Sequence, residues 1–349
     1  DRVSRIKLVV GSLVAWSAVT ALMGAVGSYH QLLGLRMALG AAECFFLPAA
    51  IALIADFHGT ATRARAMSFI SIGVNGGMIL GGSLAGLLAE LHGWRTGFWV
   101  LGLAGIALAL GARPALTARG DQPREIPAGA ARASAFEALA YLVRVPSYWV
   151  LVTESMLSGL ALWTFFGWLP LYFRETYNMT LAGAGFAGTF MLQISVVLGV
   201  LAGGWVSDRL ARDAPHRRML LYGCFYLAAA PCLLLFLGRP AFPVVAAGIA
   251  AFSFLRGLGQ ANDNPTQCEI VPPQFRSTGV GLMNSVSTAA GGCGVLFAGY
   301  LKSGVGLDTI FAGVTGVFLL AGLVLLTGYR FFIRDDIARA MVRREAGLA

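Results

Sequence analysis

Ten runs of mainly apolar residues, each about 18 residues or longer, constrain this 349-residue chain more than any other feature. Runs of that length match the thickness of a bilayer, and they lack the strict alternation of a membrane barrel, so they predict helices. The expected spans are Ile6 to Val26, Leu32 to Phe57, Ala66 to Leu91, Gly97 to Ala112, Tyr148 to Tyr172, Leu181 to Val206, Met219 to Leu237, Val244 to Ile270, Thr278 to Leu301 and Thr309 to Ile333. Only 12% of the residues are charged, about half the share in a soluble domain. The fold class is therefore all-α, a polytopic membrane protein.

The net charge of +9 invites a nucleic-acid partner, but the placement of the 26 basic residues argues against one. With the first residues on the cytoplasmic side, 20 fall in inner loops and tails, while Arg95, Arg174, Arg239 and Lys302 fall outside. That asymmetry is the positive-inside signal, and it puts both ends of the chain on the cytoplasmic side of the plasma membrane, or of the inner membrane in a Gram-negative cell. The five cysteines all lie in expected spans, as packing residues without a disulfide, and the four histidines have no metal-ligand spacing with them. No metal site and no cofactor are implied.

Residues 113–147 are rich in Pro, Gly, Arg and Glu and read as a cytoplasmic linker. It separates an N-terminal bundle, 1–112, from a six-span bundle, 148–333, which a tail, 334–349, follows. Ala128 to Val143 is expected to form an amphipathic helix on the inner membrane surface.

Internal repetition explains the uneven halves. Asp1, Arg2 and Arg5 recur as Asp208, Arg209 and Arg212, an offset of 207; Arg36 and Glu43 recur as Arg256 and Asp263, an offset of 220. Arg63, Gly81, Ala85 and Gly86 recur as Arg276, Gly294, Ala298 and Gly299, an offset of 213. In the second half the Asp-Arg element follows two spans, whereas in the first it opens the chain. The repeat therefore predicts two further spans ahead of Asp1, twelve in all.

Charges inside spans need partners or water, because each costs about 2.5 to 3.5 kcal/mol at a bilayer centre. Arg36 and Glu43, seven residues apart on one helix, share a face about 10 Å apart along the axis. That face is expected to look into a polar cavity. Arg256 and Asp263, with Asn262, Asn264 and Gln267, make a second polar patch, where Pro265 frees a backbone carbonyl and bends the helix. Those residues either contact a substrate or lock the bundle together. Glu154, one to two turns into its span, faces an inner vestibule on this reading. Trp163, Phe166, Trp168 and Tyr172 climb one span at helical spacing; Trp168 could stack on a solute, and Tyr172 fits an interfacial belt. Gln193 and Asn284 are further polar candidates. Gly204-Trp205-Val206-Ser207-Asp208-Arg209-Leu210-Ala211-Arg212 ends a span with an acid and cations that could latch to a neighbouring helix or arginine.

Two repeats, a central linker and the Gly-x-x-x-Asp-Arg-x-x-Arg element resemble the major facilitator superfamily, with Ser4 and Ala211 where that family usually has glycine. The resemblance implies a major facilitator fold lacking its first two helices. Arg36, Gly40, Glu43 and Pro48, continuing through Arg65 to Gly93-Trp94-Arg95, resemble the anion:cation symporters, which include organic-anion and sugar-acid permeases. Spinster-like transporters share much of this pattern. The resemblance implies proton-coupled uptake of a small organic anion by alternating access, carried out by a monomer. Arg36, Trp168, Gln193, Arg256, Asn264 and Asn284 are then substrate-binding candidates, Glu43 and Asp263 couple protons, and Asp1, Arg2, Arg5, Asp208, Arg209 and Arg212 form cytoplasmic gates. Export of a lipid-like or drug-like solute is the alternative. The run Gly73 to Gly82 resembles the family's antiporter motif but has Met78 in place of proline, and ordinary helix packing accounts for it. Neither Gly-x-Ser-x-Gly nor Gly-x4-Gly-Lys-Ser/Thr occurs, which removes the sequence basis for a serine hydrolase or a nucleotide-driven pump. A non-transporting sensor and an intramembrane enzyme are the remaining, weaker readings.

Overall fold

A computed structural model describes residues 5–43, 46–57, 60–118, 135–212 and 214–345. Among them every regular element is helical: α1 (Arg5–Met23), α2 (Tyr29–Glu43), α3 (Phe46–Phe57), α4 (Thr60–His92), α5 (Trp94–Ala118), α6 (Ala135–Leu142), α7 (Pro146–Tyr177), α8 (Leu181–Leu210), α9 (Arg217–Ala229), α10 (Phe242–Gln260), α11 (Asp263–Ile270), α12 (Arg276–Phe331) and α13 (Ile333–Glu345). Among the described residues, eight helical runs are long and apolar enough to cross a membrane. One of these, Thr278–Phe331, counts once although Gly306 divides it with φ 78° and ψ 161°. Glycine adopts that left-handed backbone without a Cβ clash, so the reversal expected between Leu301 and Thr309 falls there. The span expected from Leu32 to Phe57 is described as two shorter helices, α2 and α3.

Prolines shape three of the helices. Pro146 opens α7, where its missing N–H has no helical partner to lose, and the preceding Val145 is extended, with φ −109° and ψ 96°. Pro231 lies where α9 tightens into a 3-10 turn over Ala230–Gly238, since a proline cannot donate the i to i−4 bond. At Ala261 and Asn262 the helix breaks between α10 and α11, four residues before Pro265. A continuing helix would need an N–H at 265 for the Ala261 carbonyl, and proline has none. Asn262, fully buried, closes the break: its Nδ2 donates to the Leu258 and Gly259 carbonyls, each at 3.2 Å, and its Oδ1 accepts from Ser207 Oγ.

The chain divides into two compact units, one of residues Asp1–Ala130 with Thr180–Phe186, the other of Ala131–Met179 with Ala187–Ala349. In the first, α1 packs on α5, and Ile6, Val9, Ala49, Ala50 and Leu53 form a small core. Gly102 makes the close crossing possible, because a Cβ there would stand 2.5 Å from the Ala21 nitrogen. Gly73, Gly76, Gly77 and Gly81 on α4 have no atom of this unit within 4 Å of where a Cβ would sit.

The second unit is built on α7 against α12, with an aromatic centre. Phe165 meets Phe236, Phe252 and Phe311 at ring distances of 5.6, 5.9 and 4.9 Å, all edge to face. Such pairs contribute about 0.5 to 1.5 kcal/mol each, and in lipid this packing, rather than hydrophobic burial, holds helices together. Tyr172 departs from the expected interfacial belt: it is 1% exposed, packed on Phe236 and Phe311 at 5.1 and 5.5 Å. Within the expected amphipathic stretch, α6 buries Ala138 and Leu142 while Phe136, Leu139 and Val143 stay exposed.

The tail helix α13 holds the start of α7. Asp336, 4% exposed, accepts the Ser147 N–H at 2.8 Å, supplying from another helix the cap that Val145 lacks. Asp336→Ala is expected to cost about 1 kcal/mol and to lower the melting temperature in detergent. Asp336→Asn, which keeps an acceptor oxygen, should lose clearly less, and equal losses would show that the cap is not what matters.

Candidate functional site

Three helical pairs of polar residues, each one turn apart, converge inside the second unit. On α7, Ser158 Oγ donates to Glu154 Oε1 at 2.5 Å, and Glu154 is 1% exposed. On α9, the hydroxyls of Tyr222 and Tyr226 lie 3.5 Å apart and their rings meet edge to face at 4.9 Å. On α10, Arg256 Nη1 donates to Gln260 Oε1 at 2.9 Å. The break at 261–262 then brings Asp263, the first residue of α11, to the same place. These groups line a cavity of about 170 Å³, to which α12 adds Asn284 and Ser287. Asp263 acts electrostatically on Glu154, whereas its own Oδ1 is buried without a hydrogen-bond partner among the described residues.

Close helix crossings hold the second unit together, and the one at Gly159 walls the cavity. A Cβ on Gly159 would stand 2.2 Å from the Ser287 carbonyl oxygen, and one on Gly199 would stand 2.2 Å from that of Phe254. Both glycines therefore let backbones approach nearer than any side chain permits.

Of the expected residues, Arg256, Asp263 and Asn284 meet in this cavity. Trp168, Gln193 and Asn264 are not among its described lining residues: Trp168 Nε1 donates to the Val295 carbonyl at 3.2 Å, Gln193 is buried on α8, and Asn264 is exposed. Glu154, which reads from the sequence as facing a vestibule, is instead enclosed by Ser158, Tyr222 and Tyr226. Arg36 and Glu43 belong to the first unit, both exposed on α2, and Arg36 acts electrostatically on Glu43.

The Asp-Arg element of the second unit makes a latch whose centre is a residue the sequence reading treats only as a loop cation. Arg218, at the start of α9, reaches Asp208 Oδ1 with Nη2 at 3.0 Å and Glu269 Oε1 with Nε at 3.2 Å. Its side chain is 17% exposed and that of Asp208 74%, so the buried half of the latch is the contact to Glu269. Arg209 lies over the Trp205 ring at 5.5 Å, and Arg212 is exposed. In the first copy, Asp1, Arg2 and the Arg5 side chain lie outside the described set.

The model of the Major Facilitator Superfamily matches residues 1–266, three quarters of the sequence. The chain belongs to that superfamily. Among curated relatives of this facilitator chain is "Probable anion transporter 6, chloroplastic" of Arabidopsis thaliana, 24% identical over 90% of this chain and 62% of that protein. The facilitator chain thus spans less than two thirds of that relative's length. A "Gallate transporter" of Pseudomonas putida is 27% identical over 89% of this chain and 74% of its own. In fold, the chain is similar to a bacterial homologue of the human lysosomal transporter Spinster, solved inward-facing and occupied. The TM-score is 0.76 at 20% identity, covering 96% of this chain and 84% of that one.

Proposed function

We propose that this protein is a secondary transporter that carries a small organic anion, with protons, across the plasma membrane by alternating access. The observation that carries the reading is the cavity inside the second unit, where two carboxyls, a guanidinium, two phenols and two amides meet within membrane-crossing helices. Such groups are costly in a bilayer and are retained where a polar solute or ion passes. The relatives named as anion and gallate transporters support an organic anion as the solute. In this reading the bundles are residues 1–112 and 148–333, 113–147 connects them, and the working unit is a monomer. Arg36 and Arg256 attract the anion, while Glu43 and Asp263 exchange protons. Trp168, Gln193, Asn264 and Asn284 shape the path, and the latch at Asp208, with its copy at Asp1, Arg2 and Arg5, opens and closes on the cytoplasmic side.

Arg36→Ala tests the anion role. A guanidinium hydrogen bond to a carboxylate contributes about 1.5 to 3 kcal/mol, so the Kd for the carried anion should rise about tenfold or more in a direct binding assay. An unchanged Kd would remove Arg36 from the site.

A further inference from the structure

A second polar pocket of this unit, about 460 Å³, lies outside the membrane-crossing runs: none of its described lining residues belongs to one. They stand next to the ends of those runs instead. Val145 precedes the run that opens at Pro146, Phe275 lies between the runs that end at Ile270 and begin at Thr278, and Asp336 follows the one that ends at Phe331. Residues just beyond span ends sit at the depth of the lipid headgroups.

The short helix α6 forms one side of this pocket and shows three stripes. Ala138 and Leu142 are buried, Glu137, Tyr141 and Arg144 line the pocket, and Phe136, Leu139 and Val143 are exposed. At about 100° per residue the exposed apolar stripe adjoins the pocket stripe. Tyr141 fixes the helix in place: its Oη donates to the Ile270 carbonyl at 3.3 Å, and its ring stacks on Phe275 at 5.2 Å. Two guanidiniums line the pocket, from α6 and from α13. The Arg144 side chain has no hydrogen bond or ion pair among the described residues. Arg339 Nη1 stands 3.6 Å from Asp336 Oδ1, beyond hydrogen-bond distance, while Asp336 Oδ2 holds the Ser147 N–H.

We propose that this pocket binds a phospholipid, its phosphate between Arg144 and Arg339 and its acyl chains along Phe136, Leu139 and Val143. Guanidinium forks match phosphate oxygens, and both forks have N–H donors to give. Two carboxyls in the same pocket, Glu137 and Asp336, oppose a doubly charged free phosphate and tolerate the singly charged diester of a lipid. The apolar stripe beside the guanidiniums gives the acyl chains a surface that a soluble phosphate would leave uncovered. Bound there, the lipid ties the linker helix α6 to the tail helix α13. With eight residues, α6 is too short to be stable alone, so its amides report the tie.

The test follows amide hydrogen exchange of α6 by peptide mass spectrometry, in the full chain purified in detergent micelles. Three probes are added in turn: dioleoylphosphatidylglycerol, dioleoylglycerol and glycerol 3-phosphate. The phospholipid should slow exchange across α6 at least about fivefold, and neither of the other two should. Equal slowing by dioleoylglycerol would show that acyl chains alone suffice, and equal slowing by glycerol 3-phosphate would show a site for soluble phosphates. Either result, or no slowing by the phospholipid, overturns the proposal. In Arg144→Gln the phospholipid concentration for half-slowing should rise about tenfold or more; an unshifted curve would overturn the phosphate site. If that variant fails to fold, the three probes on the wild-type chain still decide. Neither the site nor its test depends on what the protein carries.

Discussion

Glu43→Gln is expected to abolish uphill uptake of the carried anion in proteoliposomes while leaving exchange of anion for anion in place. Glu43 closes α2, a helix with no buried residue, and Arg36 stands two turns earlier on the same helix. Low hydration favours the neutral form of a carboxyl and a near guanidinium favours the ionised one, so a pair that parts and meets can take up and release a proton. Glutamine keeps the size and the hydrogen bonds but holds no exchangeable charge. With the coupling proton gone, accumulation driven by a pH gradient should fall to the level of protein-free vesicles. Exchange needs only the return of a loaded carrier and should persist. Undiminished pH-driven accumulation in the variant would refute the role given to Glu43.

The second large effect concerns a wall of the cavity. An alanine at Gly159 would put its Cβ 2.2 Å from the Ser287 carbonyl oxygen and 2.4 Å from Ser287 Oγ. Neither rotation of one side chain nor a small shift relieves a clash with backbone, so α7 and α12 must separate and lose contacts along their crossing. Gly291 and Gly294 on α12 face α7 in the same way, against Trp163 and the Leu160 carbonyl. Overpacking of this kind costs about 1 to 3 kcal/mol. Gly159→Ala should lower the melting temperature in detergent and shrink the folded peak in size-exclusion chromatography. Gly204→Ala is the matched control, since nothing lies within 4 Å of its added Cβ, and it should be neutral or slightly stabilising. If the two variants melt together, the tight crossing is not holding the unit.

The sequence made the helices readable, because a long apolar run offers the chain few alternatives in lipid. It also flagged the bend near Pro265, where the chemistry of one residue decides the backbone. Arg256 and Asp263 were legible through their repeat of Arg36 and Glu43. Glu154 was not, since a lone acid near a span end looks like a vestibule residue. What marks it is the company at one-turn spacing: Ser158 on its own helix, and Tyr222 with Tyr226 on another. Trp168 shows the opposite limit. An aromatic at the right height suggests stacking, but whether its indole N–H is already taken, here by the Val295 carbonyl, depends on how two helices meet. Arg218 was hidden among loop cations, because counting charges for topology discards the position of each one.

If an organic anion crosses the membrane with protons through this protein, the two fluxes must move together. The most direct measurement is uptake of a labelled carboxylate into proteoliposomes with an imposed pH gradient, with lumenal pH recorded at the same time. Uptake is expected to drive a change in lumenal pH and to stop when a protonophore collapses the gradient. Entry of carboxylates no faster than into protein-free vesicles, with no pH change, would contradict it.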